Sequence, residues 1–228
     1  MSRLIFLVGA AVFSGCAVAP LGFYESAFPS RKTLAFRSGL EFTRGYDEIV
    51  EDIPQDTLSG YPTNPSYTVP ITLIGADFSP VPFLSFGAEG VGLVGLGLRS
   101  KGVLFSGDNA AAALILKAGY NSHEESDSWG GHEKGETTYL VGGGMVSLGN
   151  PFASFGVGPK VVFSRVDITQ WNKAYSGNVL DYGGFINLVL NYGFVGVSAE
   201  GTLLALDRPL AKTRTLKPYG GLTMRIMF

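Results

Sequence analysis

Apolar and polar residues alternate at every second position through most of the chain. The C-terminal segment shows this most clearly, because one face carries only apolar or small residues and the other carries Lys217, Thr223 and Arg225. Successive side chains of a β-strand point to opposite sides, so a period of two predicts strands with one apolar and one polar face. Further strands are predicted at 34–43, 67–77, 110–120, 137–148, 152–166, 180–192 and 194–206.

The segment 83–104 fits either one long strand or a tight hairpin that turns near Gly90-Val91-Gly92. Elsewhere, short turns alternate with longer polar connections, which is typical of barrels whose two ends face different compartments. The short turns lie at 149–151 and 192–193, and the longer connections at 121–136, 167–178 and 207–214. Keeping this alternation makes 83–104 a hairpin and predicts ten strands, with eight as the alternative.

Each predicted strand is long enough to cross a bilayer, which takes about 9–11 residues. Backbone groups in lipid must all be paired, so a sheet there has to close on itself. We therefore predict an all-β fold, a closed antiparallel transmembrane β-barrel formed by residues 33–228. An even number of strands places both the N- and the C-terminus on the periplasmic side of a bacterial outer membrane.

The composition fits a barrel better than it fits a soluble domain. The chain has 228 residues, of which 46% are hydrophobic and only 16% charged, whereas soluble domains average about 25% charged residues. No apolar run is long enough for a transmembrane helix. A net charge of −2 argues against nucleic acid as a partner, and a single cysteine excludes a disulfide framework or a cysteine-based zinc site.

Charged residues of the predicted strands fall on the face opposite the apolar one, which predicts that they face the lumen. Six are positive and four negative, whereas an ion-selective pore needs a ring of one sign. A barrel of eight to ten strands has room inside for side chains or one small ligand, and buried opposite charges should pair there. We therefore expect a plugged or very narrow lumen. The residues are Arg37, Glu41, Glu89, Arg99, Lys117, Lys160, Asp181, Glu200, Lys217 and Arg225.

The N-terminus has the form of a secretory signal, with Arg3, an apolar run over 4–13 and small residues after it. Phe13-Ser14-Gly15-Cys16 resembles the lipobox of bacterial lipoproteins. The resemblance implies removal of residues 1–15, a lipid on Cys16, and a lipidated tether over 16–32. Ordinary cleavage after Ala17, without a lipid, is the alternative.

The C-terminus resembles the signal by which bacterial outer-membrane barrels are recognised by their assembly machinery. A terminal aromatic residue is preceded by apolar residues at alternate positions. This resemblance implies that the barrel assembly machinery is a partner of the chain. The residues that carry it are Leu222, Met224, Ile226 and Phe228.

Several short motifs together resemble the MipA/OmpV family of outer-membrane barrels. The resemblance implies a barrel with a role in envelope scaffolding or adhesion and no common catalytic site. The motifs are Tyr67-Thr68-Val69-Pro70-Ile71, Leu84-Ser85-Phe86, the glycine-rich Gly90–Leu98, Tyr120 before an acidic connection, and Met224-Arg225-Ile226-Met227-Phe228.

Catalytic and metal-binding motifs are weak in this sequence. Both histidines lie in 121–136 among five carboxylates, but their spacing matches no metal motif, and no G-x-S-x-G sequence occurs. We predict no catalytic residue, metal or cofactor. The favoured function is a non-enzymatic lipoprotein barrel of the Gram-negative cell envelope with a structural or interaction role, such as a homo-oligomer that organises or encloses outer-membrane lipid. A small porin-like diffusion channel is the alternative, and an outer-membrane enzyme is less favoured.

Overall fold

The computed structural model describes residues 19–30, 32–45, 68–92, 95–126, 132–170, 173–208 and 212–228. Over these residues the chain forms ten β-strands. They are β1 (Leu34–Arg44), β2 (Thr68–Val81), β3 (Leu84–Val91), β4 (Gly95–Ser106), β5 (Ala110–Ser126), β6 (His132–Gly149), β7 (Ala153–Gln170), β8 (Lys173–Tyr192), β9 (Val195–Arg208) and β10 (Thr213–Met227).

Each strand pairs antiparallel with its neighbour in the chain, and β1 pairs with β10, which closes the sheet into a barrel. The prediction of a closed antiparallel barrel with ten strands is confirmed, and 83–104 divides into β3 and the first part of β4. Closure leaves every strand with a partner on both sides. In the described part of the chain, no helix has the length and hydrophobicity to span a bilayer.

The alternation in sequence becomes a difference between the outer wall and the lumen. In β5, Leu116 is 52% exposed on the outside, whereas the neighbouring Lys117 is 1% exposed inside. A soluble barrel would place these residues the other way round, with the charge in water. Large apolar side chains cover the outer surface of the other strands in the same manner, for example Leu40, Leu98, Ile186 and Leu222.

The barrel has two different ends. One, the turn end, contains the tight connections at 82–83, 107–109, 150–152 and 193–194, together with the start of β1 and the end of β10. At this end Gly193 has a φ of 60°, a left-handed conformation that glycine adopts without steric cost. The other, the hairpin end, is where β1 leads towards 46–67 and where β5 to β8 extend furthest.

The strands reach further at the hairpin end than the sequence predicted. The stretches 121–136 and 167–178 were predicted as polar connections, but β5 continues to Ser126, β6 begins at His132 and β7 continues to Gln170. This part of the prediction is wrong. Two antiparallel strands that leave a bilayer can still satisfy their backbone groups by pairing, so polar composition does not end the ladder.

Candidate functional site

Residues 19–30, Ala-Pro-Leu-Gly-Phe-Tyr-Glu-Ser-Ala-Phe-Pro-Ser, lie inside the barrel and are called here the lumen segment. Residues 19–28 are all buried, and the segment has no regular secondary structure. The sequence predicts a tether over 16–32, whereas most of this stretch fills the lumen. Cys16 and the signal at 1–15 lie outside the described residues, so lipidation stays a prediction.

Two carboxylates of the barrel wall bind the backbone amides of the lumen segment. Glu41 on β1 accepts hydrogen bonds from the N–H groups of Leu21 and Gly22, the latter at 3.0 Å. Glu200 on β9 accepts from the next two, those of Phe23 (2.9 Å) and Tyr24 (3.0 Å). Four consecutive amides are therefore satisfied by two ionisable groups, and hydrogen bonds to ionised carboxylates are stronger than neutral ones.

Four cations of the wall bind the carbonyl oxygens of the same segment. Because main-chain atoms accept these bonds, the contacts depend on the path of the segment more than on its side chains. The pairs are Lys160 with Leu21 (2.7 Å), Lys117 with Gly22 (2.9 Å), Arg99 with Phe23 (3.1 Å), and Lys101 with Ser26 (3.1 Å) and Phe28 (3.2 Å).

Neutral polar side chains of the wall bind four further main-chain groups of the segment. Together with the charged residues they give partners to most main-chain groups of residues 19–28, as a buried irregular backbone requires. The contacts are Thr43 with the Ala19 carbonyl (2.5 Å), Ser198 with the Tyr24 carbonyl (2.9 Å), Asn187 with the Glu25 carbonyl (2.7 Å) and the Ala27 amide with Ser147 (2.9 Å).

Phe23 is the central apolar anchor of the segment. Its side chain is fully buried and meets the ring of Phe185 edge-on, with ring centroids 5.3 Å apart. The Lys160 ammonium lies 4.6 Å from the centroid of the Phe23 ring. Gly143 on β6 provides the space, since a Cβ there would lie 2.6 Å from the Phe23 ring and 2.8 Å from the Pro159 carbonyl oxygen.

The buried charges of the barrel are balanced only when the lumen segment is counted. Glu25 of this segment pairs with Arg99 (3.1 Å) and Lys101 (3.3 Å). Among the described residues, six cations and six carboxylates are buried, and Glu25 is the sixth carboxylate. They are Arg37, Arg44, Arg99, Lys101, Lys117 and Lys160, and Glu25, Glu41, Asp77, Glu89, Asp181 and Glu200.

Ion pairs within the wall connect most of these groups. Glu89 accepts from both Arg37 (2.6 Å) and Lys117 (2.8 Å), and Asp77 holds Arg99 through both carboxylate oxygens. Three further pairs are Arg37 with Asp77 (3.8 Å), Arg44 with Asp181 (2.7 Å) and Lys160 with Glu200. Buried charges that lack a partner are strongly destabilising, so this pairing is what allows the lumen to hold twelve of them.

Of the ten charged residues predicted to face the lumen, eight are buried and two are partly exposed. Lys217 lies on β10 towards the hairpin end, and Arg225 lies near the turn end of the same strand. The buried ones are Arg37, Glu41, Glu89, Arg99, Lys117, Lys160, Asp181 and Glu200. The C-terminal residues Leu222, Met224, Ile226 and Phe228 are exposed on the outer face, and their role as an assembly signal stays a prediction.

Four buried charges of this site are absent from the residues predicted to face the lumen. Asp77 on β2 and Lys101 on β4 point to the same side of the sheet as the residues two positions before them, which is the lumen side. The period of two could therefore have predicted both. Arg44 lies one residue beyond the predicted end of β1. Glu25 could not be found in this way, because the lumen segment follows no period of two.

A cavity of about 230 Å³ lies at the turn end, below the lumen segment. Arg225 faces it, with Nη2 3.4 Å from the Asn191 side-chain oxygen. The amide of Ser30 binds the carbonyl of Pro82 in the turn between β2 and β3 (2.9 Å), which fixes the exit of the lumen segment. The cavity is thus separated from the hairpin end by residues 19–28.

The adjacent Ser122 and His123 do not form a catalytic pair. They are consecutive on β5, so they point to opposite faces of the sheet, and His123 is the buried one. In the parts of the chain that the structure covers, no group of three His, Cys, Asp or Glu side chains is placed to hold a metal ion.

Comparison with known proteins gives structural likeness only. The crystal structure of the outer membrane protease OmpT from Escherichia coli aligns with a TM-score of 0.42 and 11% identity, over 86% of this chain and 94% of that chain. Neisserial surface protein A (NspA) aligns with a TM-score of 0.33 and 10% identity, over 89% of this chain and 98% of that chain. No family model and no curated protein matches the chain. The resemblance to the MipA/OmpV family therefore stays a prediction.

Proposed function

We propose that the protein is a non-enzymatic outer-membrane β-barrel with a structural or interaction role, closed by its own residues 19–30. The observation that carries the proposal is the lumen segment, whose amides and carbonyls are bound by the charges of the wall. The outward apolar surface of the ten strands supports a position in a bilayer.

A closed lumen argues against a diffusion channel. Solute passing along the barrel axis would have to displace Phe23, which is fully buried, and separate the carboxylates of Glu41 and Glu200 from the amides they bind. Both charges would then be left in a narrow lumen with fewer partners, which is unfavourable. The closed barrel is therefore suited to a structural or interaction role in the membrane and not to transport.

Conductance measurements test this proposal. The mature protein is refolded and inserted into planar bilayers, and we expect no stepwise current. A variant that lacks residues 19–29 serves as the control, and it should conduct because the wall charges then face water. Stepwise conductance by the unmodified chain would contradict the closed lumen and favour the channel.

A finer form of the proposal is a lipidated barrel that assembles with further copies of itself. Small residues on the outer face would let the walls of neighbouring barrels approach closely, and Gly201 pairs with Gly220 across β9 and β10 to widen this surface. Mass spectrometry of the mature chain tests for a lipid on Cys16. Crosslinking and native mass spectrometry test for oligomers, and monomers alone would contradict the assembly. The residues concerned are Ala112, Ala118, Gly184, Gly201 and Ala205.

A further inference from the structure

The lumen segment runs in one direction through the barrel. Ala19 is bound by Thr43, the second-last residue of β1, at the hairpin end. Tyr24 is bound by Ser198, the fourth residue of β9 from its turn end, and Ser30 is bound to the turn at Pro82. The partners thus move steadily towards the turn end as the residue number rises.

β1 begins at the turn end, only four residues after Ser30. The chain therefore passes along the lumen to Ser30 at the turn end and returns towards the hairpin end as β1 of the wall. The start of β1 and the end of β10 lie at the same end, since Leu34 and Phe228 are hydrogen-bonded to each other. Ala19, by contrast, lies at the opposite end of the barrel.

We infer that the barrel is threaded by its own chain, so that whatever precedes Ala19 leaves the lumen at the hairpin end. Consecutive Cα atoms are 3.8 Å apart, so the chain before Ala19 has to continue from the level of Thr43. The N-terminal side of the mature protein is then presented at the hairpin end, opposite the chain's C-terminus. This differs from the prediction that both termini lie on one side.

The contacts explain why the segment stays in place once the wall has closed. Phe23 is packed against Phe185 and Gly143 in the interior, and the wall binds the main chain on both sides of it. A closed ladder of ten strands offers no gap through which a bulky ring could leave sideways. Sideways exit of the segment is therefore blocked as long as β1 is paired with β10.

Threading also determines which membrane leaflet would hold the lipid on Cys16, and this step rests on the lipidation proposed above. Three residues span at most about 11 Å, so a lipid on Cys16 would lie close to the hairpin end. The acyl chains would then enter the leaflet on that side. A barrel whose turn end faces the periplasm would place them in the outer leaflet, as part of a surface that meets external partners.

Epitope accessibility on intact cells tests the inference. A short tag is inserted between Val18 and Ala19 in the full chain, and two further chains carry the same tag within 127–131 (hairpin end) or at Asp108 (turn end). We expect the tag before Ala19 to be labelled to the same extent as the tag in 127–131. Labelling only after permeabilisation, as expected for the Asp108 tag, would overturn the threading.

Paired cysteines give a second readout that does not depend on an inserted tag. Ala19→Cys combined with Thr43→Cys should form a disulfide upon mild oxidation of the folded barrel, because Thr43 contacts Ala19. The matched pair Ala19→Cys with Met227→Cys, at the turn end, should not. A disulfide in the second pair and none in the first would overturn the inference. Neither experiment measures conductance, so failure of the closed-lumen proposal would be seen separately.

Discussion

The two faces of the same ten strands are stabilised in different ways. The outer face consists of apolar side chains such as Leu116 and Ile186, which need only an apolar surrounding. The inner face carries charges among apolar residues such as Ile115, and these charges are held by specific partners, as Glu200 is by Lys160 and the amide of Phe23. The outer face should therefore tolerate changes of shape but not of polarity, whereas the lumen should tolerate neither.

Removing one luminal charge should have the largest effect. Lys160→Met leaves Glu200 and the Leu21 carbonyl without their cation, and breaking a buried pair typically costs about 3–5 kcal/mol. Urea unfolding of the protein in lipid vesicles measures the change. Val161→Met, the next residue on the outer face, is the control and should change stability by less than about 1.5 kcal/mol. Equal effects of the two substitutions would contradict the comparison.

A charge on the outer face should have the next largest effect. Leu116→Arg places a cation against lipid, and arginine at the middle of a bilayer costs a transmembrane barrel about 2–4 kcal/mol. Thr169→Arg, an exposed position in the part of β7 that extends at the hairpin end, is the control and should be close to neutral. If Leu116→Arg left the unfolding midpoint in vesicles unchanged, the outer wall would not be in contact with lipid.

Neighbouring glycines on β6 compare the two faces directly. Gly143→Ala puts a methyl group 2.6 Å from the Phe23 ring and 2.8 Å from a backbone oxygen, which should cost about 1–3 kcal/mol. Gly144→Ala puts the same group on the outer face, where the nearest atom, a methyl carbon of Leu114, is 3.8 Å away. The same unfolding experiment should separate the two variants, and an equal loss would show that the lumen segment does not limit space at Gly143.

An exposed ion pair should matter least. Arg165 and Asp167 on β7 are 3.8 Å apart, and their side chains are 69% and 50% exposed. Surface pairs contribute about 0–1 kcal/mol, so Arg165→Met should move the unfolding midpoint only slightly. A loss as large as that of Lys160→Met would mean that burial is not what distinguishes the luminal charges.

The sequence predicts the wall of the barrel well because the wall obeys a local rule. Leu116 and Lys117 are assigned to opposite faces by parity alone, and the even number of strands follows from how the turns alternate. The lumen segment obeys no such rule. Phe23 and Tyr24 are adjacent and both buried, because the lumen segment is surrounded by the wall on all sides. Only the closed barrel shows that Glu25 is the partner of Arg99.

The extension of the strands at the hairpin end could not be predicted for a different reason. Polar residues such as those of 121–126 are predicted as a loop if strand pairing is assumed to end where the strands leave the lipid. Their ladder continues because β5 and β6 remain side by side beyond the apolar wall, where each backbone group still finds its neighbour.

The route of the lumen segment has a mechanical consequence. A force applied to the chain at the hairpin end would pull the segment along the barrel axis. The bonds of Leu21, Gly22 and Phe23 to Glu41, Glu200, Lys117 and Lys160 lie close together along the segment, so they would be loaded in shear and would share that force. The wall, closed around them, would carry the load without any single strand being peeled away. The barrel would thus transmit tension from the chain at its hairpin end to the closed wall.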